Sequence, residues 1–190
     1  MKMDIKPIET YYKGYRFRSR LEARWAVFFD AIGADWEYEP EGFVLSDGTK
    51  YLPDFYLKNI SGRGGTDNIY VEIKAVLSEA DLHKIELFSE YYPIIIFGQI
   101  PTRIWYQPTY FGKPIGDGFW DIDFTKDKDA NFYNLIFSEG DYYWTEPKAH
   151  KNGGLVLDYP DDCYEYVDLN KTLSAYDKAR QARFEHGESG

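Results

Sequence analysis

Cysteine is almost missing from this sequence, with Cys163 the only one in 190 residues. A single thiol excludes an internal disulfide and a thiolate zinc cage, and it agrees with a reducing compartment. Histidine is scarce as well. His83, His150 and His186 are too scattered for zinc-ligand spacing. No apolar run approaches the roughly 20 residues of a membrane span. Residues 1–9 are mixed and charged, unlike a signal peptide. The expectation is a cytoplasmic protein. An excess of positive charge is missing too: the net charge is −10, which taken alone argues against a nucleic-acid partner.

The distribution of charge reads differently from its sum. Residues 1–30 hold seven Lys/Arg against four Asp/Glu, and residues 171–190 hold four against three. Residues 31–170 hold eleven against twenty-five. Basic charge therefore sits at the two ends of the chain, on an otherwise acidic body. If those ends meet, they make a local surface for phosphates. Aromatic residues are abundant, with 18 Tyr, 13 Phe and 5 Trp. Such rings fill cores more often than they stack on bases.

Helix and strand signals place the chemistry-bearing residues. Ser19-Arg20-Leu21-Glu22 has capping-box spacing, and Gly33 is a natural stop, so a helix is predicted between them. Leu21, Trp25, Phe28, Phe29 and Ile32 share one face, with Glu22 at its edge. Arg16, Arg20 and Arg24 share another. Strands are predicted at 36–40, 43–45, 51–57 and 69–75, with a turn at Asp47-Gly48 and a flexible link at 61–65. Ser78-Glu79-Ala80-Asp81 opens a second helix that runs to about residue 91, with Leu77 and Leu82 placed as a staple. Residues 93–97 read as a buried strand and 103–107 as another. Residues 174–185 read as a last helix with a stripe of Ala175, Ala179 and Ala182. This alternation of helices and strands predicts an α/β fold with a mixed central sheet flanked by helices. Residues 1–107 form the expected core. Residues 108–190 form an aromatic-rich elaboration with the C-terminal helix, packed on that core as one domain.

Two places in the strands are chemically odd. Asp54 follows Pro53 inside an aromatic stretch, Tyr51-Leu52-Pro53-Asp54-Phe55-Tyr56-Leu57, although both residue types disfavour strands. Glu72 and Lys74 lie two apart, so they project from one sheet face while Val71 and Ile73 project from the other. A hairpin centred on residue 63 sets Asp54 opposite Glu72, unless a bulge shifts the register. Carboxylates gathered with a lysine suit a hard dication, a bound water and a phosphate.

Pro53-Asp54 followed by Glu72-Ile73-Lys74, after a helix bearing Glu22, resembles the motif that names the PD-(D/E)xK nuclease superfamily. The likeness spans residues 14–107 and suggests a small stand-alone member of the kind found in bacteriophages. It implies a restriction-endonuclease-like core and metal-dependent hydrolysis of phosphodiester bonds, most readily endonucleolytic and on DNA. Glu22, Asp54, Glu72 and Lys74 would be the catalytic set. Asp54, Glu72 and the Ile73 backbone carbonyl would bind Mg²⁺ or Mn²⁺, with Glu22 assisting. Lys74 would position the attacking water. Arg16, Arg18, Arg20, Arg24, Arg180 and Arg183 are the candidate phosphate contacts. A homodimer is the default for cutting both strands. The other reading is a catalytically idle binding protein on the same fold, a phage or mobile-element factor that engages a host protein or mimics nucleic acid with its acidic middle.

Overall fold

In the computed structural model, the residues described are 8–62, 65–101, 113–115, 119–121, 134–138, 141–144, 146–158 and 166–184. The first helix, α1 (Arg20–Ile32), begins and ends where its caps dictate. Ser19 accepts a hydrogen bond from the Glu22 backbone N–H, and Gly33 closes the helix at φ 76°. Ahead of it lies a hairpin that the sequence reading lacks, β1 (Thr10–Tyr12) and β2 (Tyr15–Phe17). Its turn residues, Lys13 and Gly14, both have positive φ. Lysine is an unusual residue at such a position, so the turn carries no strong sequence signal.

After α1 come β3 (Asp35–Tyr38), β4 (Phe43–Val44), β5 (Lys50–Tyr51), β6 (Phe55–Gly62) and β7 (Gly65–Ile73). β4 and β5 form a small hairpin turned at Asp47-Gly48. β6 runs antiparallel to both β3 and β7. The stretch predicted as one strand over 51–57 is broken: β5 ends at Tyr51 and β6 begins at Phe55. Pro53, which has no N–H to donate, lies in the gap. The helix α2 (Glu79–Ser89) starts with a complete capping box between Ser78 and Asp81. It connects β7 to β8 (Ile94–Phe97), which lies parallel to β7.

The second half of the chain extends the same sheet. Among the described residues, β9 (Lys113–Ile115) and β10 (Phe119–Asp121) form a separate two-stranded pair. β11 (Asn134–Ser138) pairs with β8, and β12 (Asp141–Trp144) with β11. β13 (Glu146–Ala149) pairs with β14 (Leu155–Asp158), which joins the far end of β6 in parallel. The result is an α/β fold with a curled, mixed eight-stranded sheet, ordered β12-β11-β8-β7-β6-β14-β13 with β3 also on β6. The strand predicted at 103–107 lies outside the described residues. The last helix, α3 (Leu169–Gln181), starts earlier and stops sooner than its alanine stripe suggests. Asp168 caps it by accepting from the Lys171 N–H, and Ala182 is already extended at ψ 124°.

Two apolar layers sandwich the sheet. On one face, α1 and α3 cover Phe55, Leu57, Val71, Ile73 and Phe97. Trp25 stacks on Phe97 at 4.4 Å and donates its indole N–H to the Gly98 carbonyl. Ala175 and Ala179 of α3 are buried, and Tyr176 stacks on Phe28 of α1 at 4.7 Å. On the other face, α2 and the β4–β5 hairpin cover Tyr70, Ile94 and Ile96 with Tyr51, Ile85 and Phe88. Between β6 and β7 the register is Phe55↔Val71 and Leu57↔Ile69, then Ile60↔Asp67 after a bulge. Asn59 sits in that bulge at φ 55°, and its N–H donates to the Asn68 side chain.

Candidate active site

Asp54 lies immediately before β6, at the seam between the two layers. Its N–H bonds to the Val71 carbonyl, and its own carbonyl accepts from Glu39. The ladder ends at Phe55↔Val71, the pairing that the hairpin arithmetic gives, and Asp54 and Glu72 are the next residue on each strand beyond it, near enough for the Glu72 charge to act on Asp54. The true turn lies half a residue further on, and the bulge at Asn59 compensates. Asp54 is 3% exposed. Its Oδ2 accepts from the Ile73 N–H at 2.7 Å, and its Oδ1 is engaged by the Arg18 guanidinium. Burial pushes the Asp54 carboxyl well above the usual carboxylate range, and the nearby Glu72 and Glu22 charges add to this. The Ile73 N–H and Arg18 only partly offset that rise.

Glu72 and Lys74 project to the α2 face, while Val71 and Ile73 pack under α1, as alternation requires. Glu72 is 4% exposed. Its Oε2 accepts from the Tyr51 hydroxyl at 2.8 Å, and its Oε1 lies 2.9 Å from the Lys74 amine. The Lys74 amine also reaches Asp81 of α2 at 3.5 Å. Burial alone would lower its pKa, but Glu72, Asp81 and Asp54 outweigh burial and hold the amine protonated above the ordinary lysine value. Tyr51 is pushed the same way, first by burial and then by Glu72, so it stays a hydrogen-bond donor.

Glu22 reaches the same region from α1 and is 6% exposed. It accepts from the Ser19 hydroxyl at 2.6 Å, the Tyr38 hydroxyl at 2.7 Å and the Arg18 backbone N–H at 3.1 Å. Glu22 thus serves the helix start, and its charge also acts on Asp54. Tyr38, Tyr51, Glu39 and Asp81 were not singled out from sequence. The usable signal was the need of a buried tyrosine hydroxyl for a partner.

The basic residues separate. Of the six candidate arginines, Arg18 touches the site carboxylate Asp54. Arg16 pairs with Glu9 on the exposed hairpin. Arg20 and Arg24 lie on α1 about 160° around the helix from Glu22. Arg180 bonds to the Pro101 carbonyl and Asp177, and Arg183 is exposed beyond α3. His83 tethers α2 to the β4–β5 turn through Asp47 at 3.2 Å rather than facing Asp54. His150 lies against Tyr166, and His186 is outside the described residues.

No family model, curated protein or solved structure matches this chain. The chemistry of the donors therefore has to speak for itself. Among the described residues, no three or more His, Cys, Asp and Glu side chains form a ready metal cage. Asp54 and Glu72 nevertheless share a pattern. Each has one oxygen fixed by a neutral donor, the Ile73 N–H or the Tyr51 hydroxyl, and gives its other oxygen to a cation, Arg18 or Lys74. Magnesium asks for only one or two carboxylates and keeps several waters, so this donor set fits it.

Proposed function

We propose that this protein is a metal-dependent nuclease of the PD-(D/E)xK type, with a restriction-endonuclease-like core, that hydrolyses phosphodiester bonds in DNA. The observation that carries this reading is that Asp54 and Glu72 are both buried and near enough for the Glu72 charge to act on Asp54, with the Lys74 amine 2.9 Å from Glu72. The order α1, β3, β6, β7, α2, β8 supports it, with antiparallel strands followed by a parallel one.

Asp54 and Glu72 would hold Mg²⁺ or Mn²⁺, together with the Ile73 carbonyl, and Glu22 would assist from α1. The ion supplies an acidified water and neutralises charge on the phosphate. The chain's own residues do the rest. Tyr51 and the Ile73 N–H orient the two carboxylates, as supporting groups orient metal ligands generally. In the metal-free protein the neighbouring carboxylates favour the charged amine of Lys74, which suits a donor that positions the attacking water or a phosphate oxygen.

Cleavage of single-stranded, duplex and branched DNA with Mg²⁺ or Mn²⁺ tests the reading. Asp54→Ala and Lys74→Ala should each lower the rate by about 10²–10⁴-fold while the circular dichroism stays that of wild type. A folded wild-type chain that cuts none of these substrates would turn the reading to the idle binding protein, which the acidic body favours.

A further inference from the structure

The two cations of the site are not held alike. Lys74 is bracketed by Glu72 and Asp81, and its side chain is 30% exposed. Arg18 reaches Asp54 from the solvent side, with a side chain 53% exposed above a carboxylate that is 4% exposed. Its backbone is pinned independently, because its N–H faces Glu22 Oε2 and the Tyr38 hydroxyl, both at 3.1 Å. The side chain is therefore free to move without disturbing that anchor. It also has a second place to rest: the Arg18 Nε lies 2.8 Å from Glu39 Oε1, and Glu39 is 30% exposed.

We propose that Arg18 is an exchangeable counter-ion, which occupies Asp54 Oδ1 in the metal-free protein and yields that oxygen to the divalent cation while staying tethered to Glu39. This rests on the metal-dependent reading of the same site. The physical reason is competition. Magnesium binds an oxygen at about 2.0–2.1 Å, and a guanidinium on the same oxygen would repel it and share its lone pairs. Without any cation, however, Glu22, Asp54 and Glu72 would be left crowded and buried, which costs stability. Arg18 holds the site together until the metal arrives. Released, it stands beside the metal as a forked donor suited to a phosphate.

The test uses Mn²⁺ alone, with no nucleic acid, and reads its binding to the purified chain by the paramagnetic resonance of free Mn²⁺. Arg18→Gln should bind Mn²⁺ about fivefold more tightly than wild type, which corresponds to about 1 kcal/mol. Its metal-free form should melt below metal-free wild type, and the gap should narrow with Mn²⁺. Glu39→Gln removes the resting place, so it should bind Mn²⁺ more weakly. The two variants thus move in opposite directions, which a general loss of structure cannot mimic. Asp54→Asn should lose the binding. If Arg18→Gln binds equally or more weakly while Asp54→Asn still loses it, the exchange is wrong and the metal site stands. If neither wild type nor Arg18→Gln binds Mn²⁺, both ideas fall.

Discussion

Asp54 concentrates the charge problem of the site in one side chain. Its folded pKa lies above the unfolded value of 3.8, because of burial first and then Glu72 and Glu22. Between those two values the folded chain keeps a proton that the unfolded chain has lost. Stability from this group is therefore full below the unfolded value and falls as pH rises through the folded one. In the metal-free protein, urea unfolding measured as the pH is raised above the unfolded value should show a declining contribution from this group, and Asp54→Asn should flatten that slope. An unchanged slope in the variant would show that Asp54 does not carry this proton. Asp81 works the other way, since Ser78 and Lys74 hold its pKa down despite partial burial. Its contribution is present above its unfolded value and lost as pH falls. At this scale the sequence showed which four residues to gather, because the spacing of Pro53-Asp54 and Glu72-x-Lys74 survives folding. It did not show the contact of Arg18 with Asp54, which bridges 36 positions through side chains alone.

Elements were legible where a local signal fixed them. α1 and α2 have serine caps, and α1 has a glycine stop, so their starts were readable. α3 was harder: its first turn, Leu169 to Thr172, is mostly polar, and its buried residues, Thr172, Ala175, Tyr176 and Ala179, are small or amphipathic. The break at residues 52–54 was signalled by Pro53 and Asp54, but the aromatic and apolar residues on either side carried the predicted strand across it. The close approach of α3 to α1 makes its own prediction. Ala175 is 1% exposed in the core that includes α1. Ala175→Leu should overfill that core and destabilise the chain by about 1–3 kcal/mol, read as a lower urea midpoint with an unchanged slope. A neutral result would mean that the helices part easily.

For the whole molecule, what matters is that the site is built from both layers of one sheet. Glu22, Tyr38 and Arg18 come from the α1 side, and Glu72, Lys74, Tyr51 and Asp81 from the α2 side. A ligand bound at Asp54 and Glu72 joins these layers and should stabilise the entire fold. At a hundredfold excess over its dissociation constant, Mn²⁺ should add about 2.7 kcal/mol and raise the melting temperature by roughly 5–10 °C. A chelator should reverse the shift, and Glu72→Gln should abolish it; a shift that persists in the variant would place the ion elsewhere. The extension of the sheet by β11 to β14 was not readable strand by strand. These strands are only four or five residues long, and the pairings that join them to the core, β11 with β8 and β14 with β6, span long stretches of sequence.

The bulge at Asn59 has a consequence for chain length. Lys58 and Asn59 together oppose Asn68, so β6 carries one residue more than its ladder with β7 requires. Removing Asn59 would turn this irregular spot into ordinary pairing. Phe55 would stay opposite Val71, with Asp54 and Glu72 next beyond them, and Leu57 and Ile60 would stay on one face. Removing Tyr56 instead would slide Asp54 by one position and send its carboxylate to the wrong side. The shortened chain lacking Asn59 should therefore fold and keep the activity of the full one, while the chain lacking Tyr56 should lose it. The hairpin thus contains a spare link, and the site is indifferent to whether that link is present.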